Sequence, residues 1–350
     1  MKNLWICIVL PAAIICLAQN ANAKNSSADS IPIVQEQNDV NDVNDVNEPV
    51  LLRQQPAKLS PGIESDEPST GKDLLDVVAV ERPNVPPGYI SGDAFNLGFS
   101  SLLKEYVNTG GLVNYPKLRR FRLVLNEAAE EMANLKPEVY ITWSKNEKIA
   151  FWINAYNICT LKGIIENYPI NPSRFMLLFY PANSVMHIDG LRDKTYFMIM
   201  GIQYTLEEIE RDVLLGRFTE PRICFAVCYG TIGGAPLRAE PYIGKVLDKQ
   251  LEEQLKNYFA KADAFKIDST KAIVYLSPVF KMYKWRQDAF IARYGTNKLF
   301  REREDFDRAV LNFVKDYISH QNAEFLKRKQ YSIEYIKYNW QLNEQPAENK

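Results

Sequence analysis

Histidine is scarce in this chain of 350 residues, with His187 and His320 as the only two. A zinc site needs three or four ligands drawn mainly from histidine and cysteine, and no metal-ligand spacing occurs here. A cysteine–histidine dyad would depend on His187, and no residue near it in the sequence is placed to orient its ring. The sequence therefore predicts that the chain holds no metal.

Motifs for nucleotide cofactors are also missing. Neither GxGxxG nor GxxxxGK[ST] occurs, which argues against a dinucleotide or a P-loop nucleotide. The stretch "GTIGGAPL" (230–237) favours a tight structural turn over a phosphate cradle, because Pro236 removes one amide donor. No stripe of Lys and Arg is interleaved with aromatic residues, as nucleic-acid binding requires. We therefore expect no cofactor and no nucleic-acid partner.

No stretch after the N-terminus is long and apolar enough to be a membrane helix. Lys2 gives a positive start, Leu4 to Ala18 form a short apolar run, and Ala21-Asn22-Ala23 supplies a small-x-small cleavage pattern. Residues 1–23 are thus predicted to be a signal peptide, with retention as an anchor as the alternative. We expect an exported protein, periplasmic or extracellular, with no stable membrane span after signal cleavage.

Residues 24–80 are predicted to be a disordered, acidic, low-complexity linker. They contain the repeat "NDVNDVNDVNEP" and 11 acidic against 4 basic side chains, hence a charge of about −7. The whole chain carries −1 and the signal +1, so residues 81–350 carry about +5 (−1 − 1 + 7). We expect one folded domain over 81–342 and a short tail over 343–350.

Cysteine is too rare for a disulfide scaffold. Signal removal leaves Cys159, Cys224 and Cys228, an odd number. The run "RICFAVCY" is β-rich and apolar between Pro221 and Gly230, which predicts a central strand. In a strand, Cys224 and Cys228 would face one side about 13 Å apart, too far for a mutual disulfide.

Helical periodicity dominates the rest of the domain. Ser144 and Glu147 form a capping box ahead of a helix that is apolar nearly all round and therefore predicted to be buried. Two short strands are predicted to turn at Gly201, and a further capping box follows at Thr205 and Glu208. The predicted fold class is α+β: a single domain of helices packed around a small mixed or antiparallel sheet.

Several blocks of the sequence resemble one known family. They are "GGLVNYPKL", "FWINAYNICTL", "YTLEEIERDVL", "PRICFAV" with "GTIGGAPLR", "YLSPVFKMYKWRQDAF" and "YNWQLN". In this order, over about residues 92–342, they resemble the domain of unknown function 547 family. The resemblance implies a distant relation to papain-like or transglutaminase-like folds, and it implies no settled activity.

Three positions depart from the family pattern. The family usually carries His where Cys224 stands, often Cys where Gly234 stands, and commonly His where Arg211 stands. The resemblance therefore implies that any cysteine–histidine arrangement of the family is lost here. The following family residues are retained: Asn154, Tyr156, Asn157, Glu210, Arg222, Pro236, Arg238 and Tyr242.

The polar residues on the predicted central helix need hydrogen-bond partners. Asn154 and Asn157 are three residues apart and share a face, and a buried amide without hydrogen bonds costs about 1–3 kcal/mol. We expect them to hold the backbone of the turn Gly230–Arg238, with a ligand carbonyl as the alternative. The structural frame predicted around the site, called the frame residues below, comprises Asn154, Tyr156, Asn157, Arg222, Arg238 and Tyr242.

Two functions follow from these residues. The first is a catalytically degenerate, exported binding or structural module of the envelope, whose partner is an envelope protein, a peptide or a glycan. The alternative is a thiol-dependent hydrolase or acyl-transferase that uses Cys224 or Cys228, with Arg222 as the cationic neighbour. The aromatic stretch "FKMYKWRQDAF" is predicted to be core with an amphipathic edge, or a platform for sugar or peptide.

Overall fold

The computed structural model describes residues 91–283, 287–328 and 330–346. The predicted signal peptide, the predicted linker and the last four residues of the predicted tail lie outside the described residues. The helices are α1 Gly92–Leu97, α2 Ser100–Tyr106, α3 Tyr115–Arg120, α4 Leu123–Asn134, α5 Pro137–Ile141, α6 Lys145–Glu166, α7 Leu206–Glu208, α8 Leu215–Arg217, α9 Leu247–Phe259, α10 Val279–Met282, α11 Gln287–Tyr294, α12 Asp305–Val314 and α13 His320–Leu326. The strands are β1 Phe197–Ile199, β2 Ile202–Tyr204, β3 Lys266–Asp268, β4 Ile273–Leu276 and β5 Ser332–Tyr335.

Helix α6 forms the centre of the domain. Its predicted capping box is present: the Ser144 amide donates to Glu147 Oε2 at 2.8 Å, and the Glu147 amide donates to Ser144 Oγ at 3.3 Å. Sixteen of its 22 residues are buried, on every side of the helix. The prediction that this helix is buried is therefore confirmed.

The strands form two small sheets. β1 and β2 pair antiparallel through a turn at Met200 and Gly201, as predicted. In the second sheet, β4 pairs antiparallel with β3 and parallel with β5. An α+β domain with a mixed and an antiparallel sheet is therefore confirmed, although β3 was not predicted. In the described part of the chain, no helix is long and apolar enough to cross a membrane.

The segment 222–229 is not the predicted central strand. It is a 3-10 helix over Pro221–Phe225, followed by an irregular chain. Pro221 begins the helix and the Glu220 carboxylate accepts from the Arg222 amide at 3.0 Å, so local signals at its start favour a helical turn. The prediction was wrong because a buried β-rich run has the same sequence pattern whether or not a neighbouring strand pairs with it.

The close approach of Gly111 to Pro236 and Leu237 requires a glycine. Gly111 has a φ of +77°, and a Cβ on it would lie 2.5 Å from Pro236 Cβ and 2.9 Å from the Leu237 nitrogen. Backbone cannot yield as a flexible side chain does, so only glycine permits this approach. Gly201 also has a positive φ, +74°, but a Cβ added to it would meet no atom of another part of the protein within 4 Å.

These two glycines form a matched pair for a stability test. Gly201→Ala is expected to lower the free energy of unfolding by about 1–2 kcal/mol, the cost of a left-handed backbone. Gly111→Ala carries the same cost and adds the clash, for a total of about 3 kcal/mol or more. Urea denaturation of both variants measures the difference. Equal losses would show that Gly111 does not sit against Pro236.

Candidate functional site

Asn154 holds the backbone of Tyr242 by two hydrogen bonds. Its Nδ2 donates to the Tyr242 carbonyl at 2.8 Å, and its Oδ1 accepts from the Tyr242 amide at 2.9 Å. Both groups are buried. The side-chain amide thus replaces the neighbouring strand that this stretch of chain lacks.

Asn157, one turn further along α6, also holds backbone groups by two hydrogen bonds. Its Nδ2 donates to the Ala226 carbonyl at 3.2 Å, and its Oδ1 accepts from the Cys228 amide at 2.8 Å. The two asparagines therefore hold the chain on either side of the turn Gly230–Arg238, while we had expected them to hold the turn itself.

Little space is left beside these asparagines. The cavity bordered by Asn154, Asn157, Arg238 and Tyr242 has a volume of about 10 Å³, which is room for about one water molecule. The Tyr242 hydroxyl is buried there with no hydrogen-bond partner among the described residues. A ligand carbonyl, the alternative partner for the asparagines, has no room at this position.

Arg238 packs back onto helix α9. Its Nη1 donates to the Gln250 carbonyl at 3.4 Å, and its Nη2 lies 3.3 Å from Glu253 Oε2. Its guanidinium carbon lies 5.7 Å from the centre of the Tyr242 ring. The turn therefore directs Arg238 to a structural role between the segment and α9.

Arg222 is surrounded by carboxylates. Its Nε donates to Glu220 Oε1 at 2.9 Å, and its Nη groups lie 2.6 Å from Asp248 Oδ1 and 2.9 Å from Glu252 Oε1. Three acidic partners compensate its single charge. We had considered Arg222 as the cation that lowers a thiol pKa, and this arrangement does not favour that role.

Cys228 is a core thiol. It is buried, and its Sγ accepts from the Gly230 amide at 3.4 Å and from Asn343 Nδ2 at 3.6 Å. Burial is the largest influence and outweighs these donors, which raises its pKa to about 11. Burial also raises the pKa of Cys159 well above its usual range.

The contacts described for the two histidines are with groups other than cysteine. The Nε2 of His187 lies 2.8 Å from the Pro181 carbonyl, and its Nδ1 has no hydrogen-bond partner in the described residues. His320 is at the start of α13, where its Nε2 lies 3.7 Å from Glu324. Within the described ranges, no three His, Cys, Asp or Glu side chains are grouped to hold a metal ion.

Glu210 is the centre of a buried hydrogen-bonded cluster. Glu210 is 2% exposed and accepts hydrogen bonds from the hydroxyls of Tyr229 and Tyr283, while Arg192 Nη1 donates to it at 2.7 Å. Burial and then the Glu210 charge raise the pKa of both tyrosines far above their usual range, so their hydroxyls stay protonated and act as donors.

The backbone around Glu210 explains its inward direction. A π-helical segment, Ile209–Leu214, follows α7 and shifts the register of the helix by one residue. Glu210 is thereby buried, while its neighbour Arg211 is 49% exposed and pairs with Asp212 and Glu207. The sequence does not show a π-helix, and so the Arg192–Glu210–tyrosine cluster was missed.

A cavity bordered by Cys224 adjoins this cluster, because Tyr283 belongs to both. It has a volume of about 430 Å³ and is called the Cys224 cavity below. Its lining is mainly aromatic and aliphatic: Leu215, Phe218, Thr219, Glu220, Pro221, Cys224, Phe225, Phe280, Tyr283, Ala289, Phe290, Ala292, Arg293 and Phe306. The cavity therefore separates the 3-10 helix from α10, α11 and α12, and part of its wall is the aromatic stretch predicted to be core.

Comparison with known families gives one match. Residues 140–259 match the model of a family described as "protein of unknown function, DUF547". Searches of curated proteins and of solved structures gave no significant match. The matched range contains the frame residues and both candidate cysteines, whereas the cavity walls formed by α10, α11 and α12 lie outside it.

The Glu220–Arg222 pair predicts a pH dependence of stability. Burial opposes the charged form of Glu220, but hydrogen bonds from the side chain and amide of Arg222 outweigh it and lower its pKa. A depressed pKa contributes stability that is present above the unfolded value of about 4.3 and lost as pH falls through the folded value. Glu220→Gln is expected to cost about 1–2 kcal/mol at neutral pH.

The loss of stability caused by Glu220→Gln should become smaller as pH falls below about 4. Chemical denaturation of the wild type and of Glu220→Gln across that range measures it, with Glu240→Gln as a control on an exposed carboxylate. A difference independent of pH would contradict the assignment.

Thiol alkylation tests the state of Cys228. In the folded protein, iodoacetamide is expected to leave it unmodified at neutral pH, because the thiol is buried and its pKa is about 11. Urea should expose it and bring its reaction midpoint to the free-thiol value of about 8.5. Peptide mapping by mass spectrometry reads each cysteine separately. Rapid modification of folded Cys228 at neutral pH would refute a core role.

Proposed function

We propose that this chain, whose residues 140–259 match the DUF547 family model, is an exported and catalytically inactive binding module of the cell envelope. The Cys224 cavity carries the proposal, because its volume of about 430 Å³ falls within the usual range of about 300–1,000 Å³ for small-molecule sites. Export is supported by the apolar run and the cleavage pattern at 21–23.

The lining favours a hydrocarbon ligand. Phe218, Phe225, Phe280, Phe290 and Phe306 contribute rings to the wall, and transfer of apolar surface from water gains about 25 cal/mol per Å². A glycan needs polar groups that match its hydroxyls, and Glu220, the acidic group of the lining, already accepts hydrogen bonds from Arg222. A hydrocarbon chain therefore fits the wall better than a glycan.

The solvent side of the cavity adds a preference for an anionic head group. Thr219, Ala289, Ala292 and Arg293 are its exposed lining residues. Arg293 donates from Nη1 to the Thr219 carbonyl at 3.2 Å and lies 3.9 Å from Glu220. A guanidinium has five donors, so Arg293 retains donors for a carboxylate or phosphate. The proposed ligand is an anionic amphiphile with a hydrocarbon chain.

The proposal of catalytic inactivity is supported by the contacts of the histidines, of Arg222 and of Cys228. The imidazoles of His187 and His320 make their contacts elsewhere, and the charge of Arg222 is compensated by three carboxylates. A cysteine nucleophile needs a base or an uncompensated cation to form a thiolate. Cys228 is buried and its pKa is raised to about 11, which supports binding without covalent chemistry at that thiol.

A variant at the cavity entrance tests the ligand. Dodecanoate is expected to bind the chain in isothermal titration calorimetry, and Ala292→Trp should raise its dissociation constant by about tenfold or more by filling the entrance. Ala260→Trp is the matched control, since Ala260 is exposed and does not line the cavity. Arg293→Gln should weaken dodecanoate and leave dodecanol unaffected.

Two outcomes would contradict the proposal. One is binding that is absent or equally strong in the wild type and Ala292→Trp. The other is hydrolysis of a p-nitrophenyl ester that disappears in Cys224→Ser, which would establish the thiol-dependent enzyme instead.

A further inference from the structure

The loop after α6 carries an exposed apolar tip. Phe175, Leu177 and Leu178 are 68%, 45% and 76% exposed, and Met176–Leu178 form a 3-10 helix. The amide of Leu177 donates to the Ser173 carbonyl at 3.1 Å, which closes the turn. These three side chains, called the apolar tip below, thus project from an ordered turn.

Charge is depleted around the apolar tip. Between Glu166 and His187, Arg174 is the only charged side chain in twenty residues, although charged residues make up 24% of the chain. A solvent-facing loop of that length would carry about five charges at this average. The one charge that is present is positive and directly precedes the tip.

Aromatic residues form the base of the tip. Tyr180 is buried and its ring meets that of Trp340 edge to face, with 5.6 Å between centres. Trp340 also lies 4.3 Å from the Tyr338 ring. The segment 335–343, which holds this tryptophan, contains Lys337 as its only charged residue. Tryptophan and tyrosine behind apolar side chains are typical of groups at a bilayer interface.

We propose that the apolar tip docks on an anionic lipid surface. The three side chains expose roughly a few hundred Å² of apolar surface. A stable protein–protein interface buries about 800 Å² on each partner. A convex turn needs no complementary groove in a bilayer, because acyl chains fill the space around it. Arg174 and Lys337 add attraction to anionic head groups, of about 30-fold in binding for two cations at about 1 kcal/mol each. This surface is independent of the Cys224 cavity.

Vesicle co-sedimentation tests the docking. The chain is used from Lys24, its predicted mature start, so that the apolar run 4–18 does not itself enter the bilayer. Vesicles contain phosphatidylcholine alone or an equimolar mixture with phosphatidylglycerol. The chain is expected to sediment with the anionic vesicles, and Leu178→Asp should lower its partition coefficient by about tenfold or more.

Leu97→Asp is the matched control. Leu97 is 56% exposed at the end of α1, which packs at the N-terminal end of α6, where Gly92 meets Glu147. The 22-residue α6 spans about 33 Å, so this position lies far from the loop that follows its other end. Circular dichroism checks that each variant is folded. Leu97→Asp should bind vesicles like the wild type, and Arg174→Glu should lose the preference for phosphatidylglycerol.

Three results would overturn the docking. The first is no sedimentation with either vesicle, and the second is an equal loss in Leu97→Asp and Leu178→Asp. The third is a dimer in analytical ultracentrifugation that Leu178→Asp alone dissociates, which would assign the tip to a second copy of the chain.

Discussion

Two asparagine side chains on one buried helix support the whole site. Asn154 and Asn157 each both donate to and accept from the backbone, at Tyr242 and at Ala226 with Cys228. Each of these buried peptide groups would cost about 1–3 kcal/mol if it lost its hydrogen bond. The four hydrogen bonds hold the chain before and after the glycine turn, and the turn itself pairs with the segment 339–343, where the Ile232 amide donates to the Gln341 carbonyl at 2.8 Å.

This support separates two environments. On the side of α6 and Asn343, Cys228 is enclosed and its pKa is raised. Cys224, in contrast, borders a cavity to which α10, α11 and α12 contribute walls. The Glu210 cluster joins the π-helical segment to Tyr283, which also lines the cavity. A rigid frame beside an apolar cavity is an arrangement suited to binding.

The sequence predicted the parts whose signals are local. The capping boxes at Ser144 and Thr205, the turn at Gly201 and the buried α6 are each marked by residues close in the chain. It also indicated the family whose model matches residues 140–259. It failed at 222–229, where an apolar run takes its hydrogen bonds from Asn157 and has no strand beside it. The cavity and the Glu210 cluster could not be predicted, because their residues are up to 91 positions apart in the chain (215 to 306).

Amide hydrogen exchange at Cys228 and Tyr242 tests the central claim most directly. If the asparagines hold this chain, both amides should exchange as slowly as the interior of α6, although neither lies in a helix or strand. Asn157→Ala should release the Cys228 amide and Asn154→Ala the Tyr242 amide, each selectively. Exchange as fast as in an exposed loop in the wild type, or protection that survives both substitutions, would contradict the account.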